Sequence, residues 1–270
     1  MIKIKNKYLS MEQICESGQC FRIHKIENNK FALIAFDKYL EIEQDEDQIT
    51  FHCTKAEYEE IWFDYFDLGT DYKEFIQSVQ EEDTYLLETV KFGKGIRILK
   101  QDVWEMIITF IISQQNNIKR IKKCIEVLSQ RYGEEKQYNN ITYYTFPTAE
   151  ALANASDEDL RACNLGYRSG YILQTAKSIL NKEVDTKLLS SMKYEDARAE
   201  LMKLKGVGVK VADCICLFGL HQLEAFPVDT HINKVLKVEY PNGFPFIRFQ
   251  GYEGVMQQYI FYYDLLKGQK

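Results

Sequence analysis

An α+β chain, with an antiparallel sheet first and an almost wholly helical region behind it, is predicted by three observations. Phe31–Phe36, Tyr39–Glu43 and Gln48–Cys53 are short, rich in β-branched and aromatic residues, and separated by polar turns such as Glu27–Asn29. From Asp102 onward the apolar spacing changes to that of helices. The charge changes as well: residues 1–95 carry 11 Lys/Arg against 20 Asp/Glu, a balance of −9, and residues 96–270 carry 23 against 20, a balance of +3. These changes divide the chain into a sheet-plus-helix domain over 1–95 and a helical domain over 96–270.

After the strands, Ala56–Phe66 and Tyr72–Val90 read as helices. Val103–Ile112 has eight apolar residues in ten, which implies a helix buried on most sides. It ends at the polar run Ser113–Asn117. Ile118, Ile121, Ile125 and Leu128 then mark an amphipathic helix that stops at Gly133. Its first turns hold Lys119, Arg120, Lys122 and Lys123, and cations there oppose the helix dipole. Either an external anion or simple solvation accounts for their placement. Thr148–Asn154, Asp157–Cys163, Arg168–Asn181 and Tyr194–Lys203 complete the short helices, with Ser156 and Asp159 spaced like a capping box. Pro241 and Pro245 mark a loop before a final helix, Gly251–Lys267.

A chain of 270 residues can bury a sizeable core, and 46% hydrophobic content describes a folded protein. Its net charge of −6 hides the slightly basic second part, so any nucleic-acid contact should fall there and involve few phosphates. The seven scattered cysteines have no zinc spacing and form no four-cysteine run after Asp229 for an iron–sulfur cluster. They fit a reducing compartment. No signal-peptide core is visible, and the apolar run Ile107–Ile112, broken by Thr109, is far short of the ~20 residues a bilayer span needs. These features predict a soluble intracellular protein of the cytoplasm or nucleoid.

Two segments bear chemistry. Leu204–Cys214 reads as a helix end, a Gly206-Val207-Gly208 hairpin and a new helix from Val209, and Phe226–His231 follows closely. The hairpin glycines let backbone N–H groups approach an anion, and the positive end of the new helix adds to their pull. Lys210 lies just inside that helix among apolar neighbours. A lysine attacks as the neutral amine, the form that both burial and a helix start favour. Asp229 would stabilise positive charge on a sugar. Asp213 is the competing carboxylate, on the same helix as Lys210. Cys214 projects from the face that holds Lys210, either as a buried core residue or as a flat contact for a base. The arrangement resembles the helix-hairpin-helix DNA glycosylases, in the lysine-bearing branch that also cleaves the backbone.

Further segments narrow the resemblance. Ser17–Arg22, Gly95–Asp102, Asn116-Asn117-Ile118, Leu165–Arg168 and Gly206–Cys216 are similar to the eukaryotic-type 8-oxoguanine DNA glycosylase/AP lyase family, over about residues 8 to 265. The resemblance implies a TATA-binding-protein-like sheet domain and two all-α subdomains holding the damaged base between them. It implies a monomer acting on double-stranded DNA that contains 8-oxoguanine, with no membrane association. It implies no metal or iron–sulfur cofactor, while the hairpin admits a monovalent cation. The expected activity is excision through a Lys210 Schiff base, assisted by Asp229, and then β-elimination.

By the same resemblance, Gly18 offers its carbonyl to N7–H of the lesion, Gln257 bonds the pairing edge, Phe261 stacks on the base and Cys214 flanks it. Gly206, Gly208 and Lys210 form the phosphate hairpin. Gln115, Asn116, Arg120, Tyr167 and Arg168 lie at the extruded nucleotide and its opposite base. Gln115 departs from the asparagine of the vertebrate enzymes, which leaves the preference for cytosine open. His231 is either a phosphate contact or a structural histidine. Competing functions are an endonuclease III-like glycosylase for oxidised pyrimidines and a non-catalytic damage binder. The missing cluster cysteines oppose the first, and the joint presence of Lys210 and Asp229 opposes the second.

Overall fold

A computed structural model describes residues 1–267. Five antiparallel strands, β1 (Ile2–Lys5), β2 (Ile23–Glu27), β3 (Lys30–Ala35), β4 (Lys38–Gln44) and β5 (Gln48–Phe51), form a sheet in the order β1-β5-β4-β3-β2. The register pairs Ile4 with Ile49, Leu33 with Leu40 and Phe31 with Ile42. Alternation along the strands gathers Ile23, Phe31, Leu33, Leu40, Ile42, Ile49 and Phe51 into one core with Met11, Ile14, Trp62 and Phe66. Strands β1 and β2 were not among the expected three. Both are edge strands; β1 alternates Ile with Lys, and β2 exposes four of its five residues, so neither has the apolar density of a central strand.

The helical part forms a second core. Helix Val103–Ser113 is capped by Asp102, whose carboxylate accepts from the Glu105 N–H, and every residue from Glu105 to Ile112 is buried. Ser156 likewise caps its short helix by accepting from Asp159 N–H, but the reciprocal half of a capping box is absent among the described residues, because the Asp159 carboxylate accepts from the Ser156 hydroxyl at 2.7 Å.

One expectation is corrected here. The segment expected as one helix, Tyr72–Val90, is two, Tyr72–Gln77 and Thr84–Phe92, because Asp83 turns back to cap Leu86 N–H and starts a new helix. Tyr72, Val79, Leu86 and Val90, which precede residue 96, pack into the helical core. Residues 135–144, which lie between the expected helices, form a hairpin, β6 (Glu135–Tyr138) with β7 (Ile141–Tyr144), turned at Asn139, whose φ is +52°. The ring of Tyr39 lies 4.9 Å from that of Tyr138 and 5.5 Å from that of Tyr143, while Lys136 reaches Asp37 at 3.1 Å. The hairpin therefore fastens the helical body to the sheet.

The connector between the bodies is held in the same way. Arg97 is buried and donates to the carbonyls of Lys7, Tyr8, Asp67 and Thr70 while its guanidinium lies 4.6 Å from the Tyr72 ring. Among the described residues, no helix is long and apolar enough to cross a membrane.

Candidate active site

A cleft of about 770 Å³ opens where the Ser17–Cys20 turn of the sheet body faces helices Val103–Ser113, Ile118–Tyr132, Val209–Phe218 and Glu253–Lys267. The Gly-x-Gly hairpin borders it through Gly208. Gly206 has φ +84°, and a Cβ there would fall 2.4 Å from the Tyr171 ring, so only glycine fits. Its carbonyl accepts from Gln114 Nε2 at 3.0 Å, and the Lys205 carbonyl accepts from Thr175 Oγ1 at 3.2 Å. Gly208 is the N-cap of helix Val209–Phe218 and supplies no side-chain cap. The N–H groups of that helix's first turn thus face outward without a capping acceptor, as an anion site requires.

Lys210 is half-buried beside the hairpin, its Nζ 5.6 Å from the Phe110 ring. Cys214, one turn further, is buried against it. Burial pushes the thiol up to about 11, with the neighbouring Lys210 pulling the other way, so Cys214 stays a neutral, flat surface. Asp229 enters the same cleft from the start of helix Thr230–Glu239, where one carboxylate oxygen accepts from Ile232 N–H at 2.9 Å. Asp213 does not line the cleft; it accepts from the Tyr194 hydroxyl at 2.8 Å and lies 3.8 Å from Arg198. His231 lines the cleft with Nδ1 2.7 Å from Asp264, and its ring meets Phe261 edge-on.

The opposite wall comes from the sheet body. Gly18 has φ +72°, and an added Cβ would stand 3.1 Å from Phe261 and 3.4 Å from Ile118. Gln257 is 4% exposed; its Nε2 donates to the Pro227 carbonyl at 3.1 Å, and its buried Oε1 has no partner among the described residues. A buried acceptor left unpaired is costly, and this one belongs to a residue that lines the cleft.

Gly18, Gln115, Asn116, Gly208, Lys210, Cys214, Asp229, His231, Gln257 and Phe261 all line this cleft. Gly206 supports it from behind, while Arg120, Tyr167 and Arg168 lie outside it. Tyr167 is 46% exposed, as an intruding side chain requires, but Arg168 is only 6% exposed. Its guanidinium donates to the carbonyls of Gln114, Gln115 and Leu165 and lies 4.7 Å from the Tyr167 ring. In this structure Arg168 therefore braces the Gln115 loop. The brace matters because Gln115 sits at φ +48°, a conformation an exposed glutamine rarely adopts unaided. Asn116 is tied down as well, donating to the Ile112 carbonyl and accepting from Asn117 N–H.

Only part of the basic cluster is available for an external anion. Lys122 donates to the carbonyls of Cys15 and Ile23, and Lys123 pairs with Glu126 at 3.1 Å. Lys119 and Arg120 remain exposed. Sequence reasoning missed Gln114 and Gln258, which also line the cleft; both act on residues far away in the chain, and no local pattern marks them. Among the described residues, no group of three or more His, Cys, Asp or Glu side chains could hold a metal ion.

The comparisons agree on the relationship. Residues 1–107 match the 8-oxoguanine DNA glycosylase N-terminal domain, and residues 108–241 match the HhH-GPD superfamily base excision DNA repair protein domain. The N-glycosylase/DNA lyase of Saccharomyces cerevisiae is 41% identical over 159 residues, covering 54% of this chain and 42% of that protein. The N-glycosylase/DNA lyase OGG1 of Arabidopsis thaliana is 30% identical over 86% of this chain and 66% of that protein, so the match spans less than two thirds of either curated relative. The Clostridium acetobutylicum 8-oxoguanine glycosylase/lyase, solved with double-stranded DNA containing cytosine opposite 8-oxoguanine, superposes with a TM-score of 0.92 at 34% identity, covering 99% of both chains.

Proposed function

Because the chain belongs to the 8-oxoguanine DNA glycosylases of the helix-hairpin-helix base excision repair superfamily, we propose that it excises 8-oxoguanine from duplex DNA and then cuts the strand. The observation that supports this most directly is one cleft lined by Lys210, Asp229, a left-handed Gly18 and a Gln257 whose buried acceptor has no partner among the described residues. A flipped guanine presents donors along its pairing edge, and Gln257 Oε1 would accept from them because its own amide nitrogen is held by Pro227. Gly18 would accept from N7–H, which 8-oxoguanine has and guanine lacks. Phe261 and Cys214 would flank the two faces of the base.

In the reaction, the Lys210 amine forms a bond to sugar C1′ as the C1′–N9 bond breaks. The base leaves with the bonding pair and takes up a proton, and ring opening gives the Schiff base. Asp229 stabilises the positive charge that grows on the sugar. Loss of a C2′ proton then expels the 3′ phosphate, and water releases the lysine. The protein works as a monomer on double-stranded DNA, with Gln115 and Tyr167 filling the space of the extruded nucleotide. The match of residues 1–107 to an 8-oxoguanine domain favours the oxidised purine over an oxidised pyrimidine.

The test is borohydride trapping on duplexes that pair 8-oxoguanine with each normal base, cytosine first. A trapped complex dependent on the lesion is expected. No trapping with any of them, but trapping with an oxidised pyrimidine, would replace the substrate.

A further inference from the structure

The last helix presents two adjacent faces to the site. Gln257 and Phe261, four residues apart, line the cleft, while Gln258 and Tyr262 grip the end of helix Met11–Glu16 and the turn beyond it. Gln258 is 2% exposed and its Nε2 donates to the Ser17 carbonyl at 2.7 Å, across 241 residues of sequence. That carbonyl belongs to the peptide joining Ser17 to Gly18. On the far side of the glycine, the Gln19 carbonyl accepts from Gln101 Nε2 at 2.8 Å, and the Gln19 side chain is fixed to Arg97 and Leu99 backbone. The peptides before and after the Gly18 carbonyl are thus both pinned. The Gly18 carbonyl itself accepts no hydrogen bond among the described residues.

We propose that Gln258 is a positioning residue for lesion recognition: it sets the Ser17–Gly18 peptide plane, and through it the direction of the Gly18 carbonyl. The inference rests on the functional reading above, in which that carbonyl accepts N7–H. The reason such a holder is needed is that Gly18, with no side chain and φ +72°, is the most permissive point of the turn. Left unheld, the carbonyl would sample directions in which guanine and 8-oxoguanine look alike. The last helix also supplies Gln257, so one rigid element then places both the acceptor for the pairing edge and the acceptor for N7–H.

The experiment measures single-turnover rates of the full chain on 8-oxoguanine paired with cytosine and on a pre-formed abasic site. Gln258→Met keeps the volume and removes the donor. It should lower excision by about 10- to 100-fold, the scale of a reacting group misplaced by about an ångström, and leave abasic-site cleavage within about two-fold. Tyr262→Phe, which loses the neighbouring contact to Glu16 but not the one to Ser17, should change neither rate. In the double variant Gly18→Ala/Gln258→Met, excision should fall no further than in Gly18→Ala alone, because both act on one carbonyl. Equal losses on the two substrates, or additive losses in the double variant, would overturn the inference, as would a Gln258→Met protein that excises normally. Failure of the unsubstituted protein to excise 8-oxoguanine would strike the functional reading first.

Discussion

The sheet body and the helical body contribute to one cleft in different ways. The helical body supplies Lys210, Asp229 and the hairpin, groups that make and break bonds or hold phosphate. The sheet body supplies Gly18, a backbone carbonyl with no side chain behind it. Residues 1–95 carry the chain's net negative balance, −9, and that part has no need to touch a polyanion over its own face. The contrast teaches that chemistry and recognition are separable here. Damage to the helical groups should stop every reaction, whereas damage to the Gly18 turn should matter only when there is a base to read.

The largest expected effect breaks the chemical side. Lys210→Gln should abolish borohydride-trapped complex on both 8-oxoguanine and abasic duplexes while leaving lesion binding measurable by titration. Trapping that persists would move the nucleophile elsewhere. Asp229→Asn comes next. It should lower excision by about 10²- to 10³-fold, the usual loss when one charge-stabilising group is removed. Asparagine caps a helix as well as aspartate does, so thermal unfolding of this variant should stay near that of the parent. A large fall in Tm would mean that Asp229 serves the fold more than the reaction.

A smaller effect tests the recognition side. Gly18→Ala places a methyl against Phe261 and strains a left-handed backbone, so it should reduce 8-oxoguanine excision by the equivalent of about 1–3 kcal/mol while sparing abasic-site cleavage. Equal losses on both substrates would erase the distinction between the two bodies. The smallest effect concerns phosphate contacts, measured as the salt dependence of binding. Each contact contributes a slope of ~0.9 in log K against log salt, so Lys119→Ala and Arg120→Ala should each flatten the slope by about one. Lys122→Ala should instead lower stability, because its ammonium is held between the carbonyls of Cys15 and Ile23. A wild-type slope steeper than about −8 would indicate a basic surface beyond these residues.

Much of this protein was determined by sequence alone, wherever the signal is local. The central strands follow from alternation, helix Val103–Ser113 from its unbroken apolar face, and the start of helix Val209–Phe218 from the glycines before it. Resemblance placed Gly18, Gln257 and Phe261 together with Lys210 and Asp229, and the cleft brings these five to one place. The edge strands and the β6–β7 hairpin escaped notice because a solvated face dilutes the apolar period that betrays a strand. The expected helix Tyr72–Val90 is split because one capping residue, Asp83, can interrupt a continuous helical pattern.

Tertiary structure alone decided the rest, and each case has the same cause. Four cations in one helical turn look equivalent in sequence, yet Lys122 is claimed by the sheet body and Lys123 by Glu126. Nothing in the sequence beside Tyr167 shows that the carbonyls of Gln114 and Gln115 come within reach of the Arg168 guanidinium. Gln114 meets the Gly206 carbonyl, and Gln258 meets that of Ser17, only after helices far apart in the chain have packed. A side chain's period and a backbone's left-handed turn are properties of a few neighbouring residues. The partner of a polar group is set by which elements the two cores press together, and no short stretch of sequence contains that information.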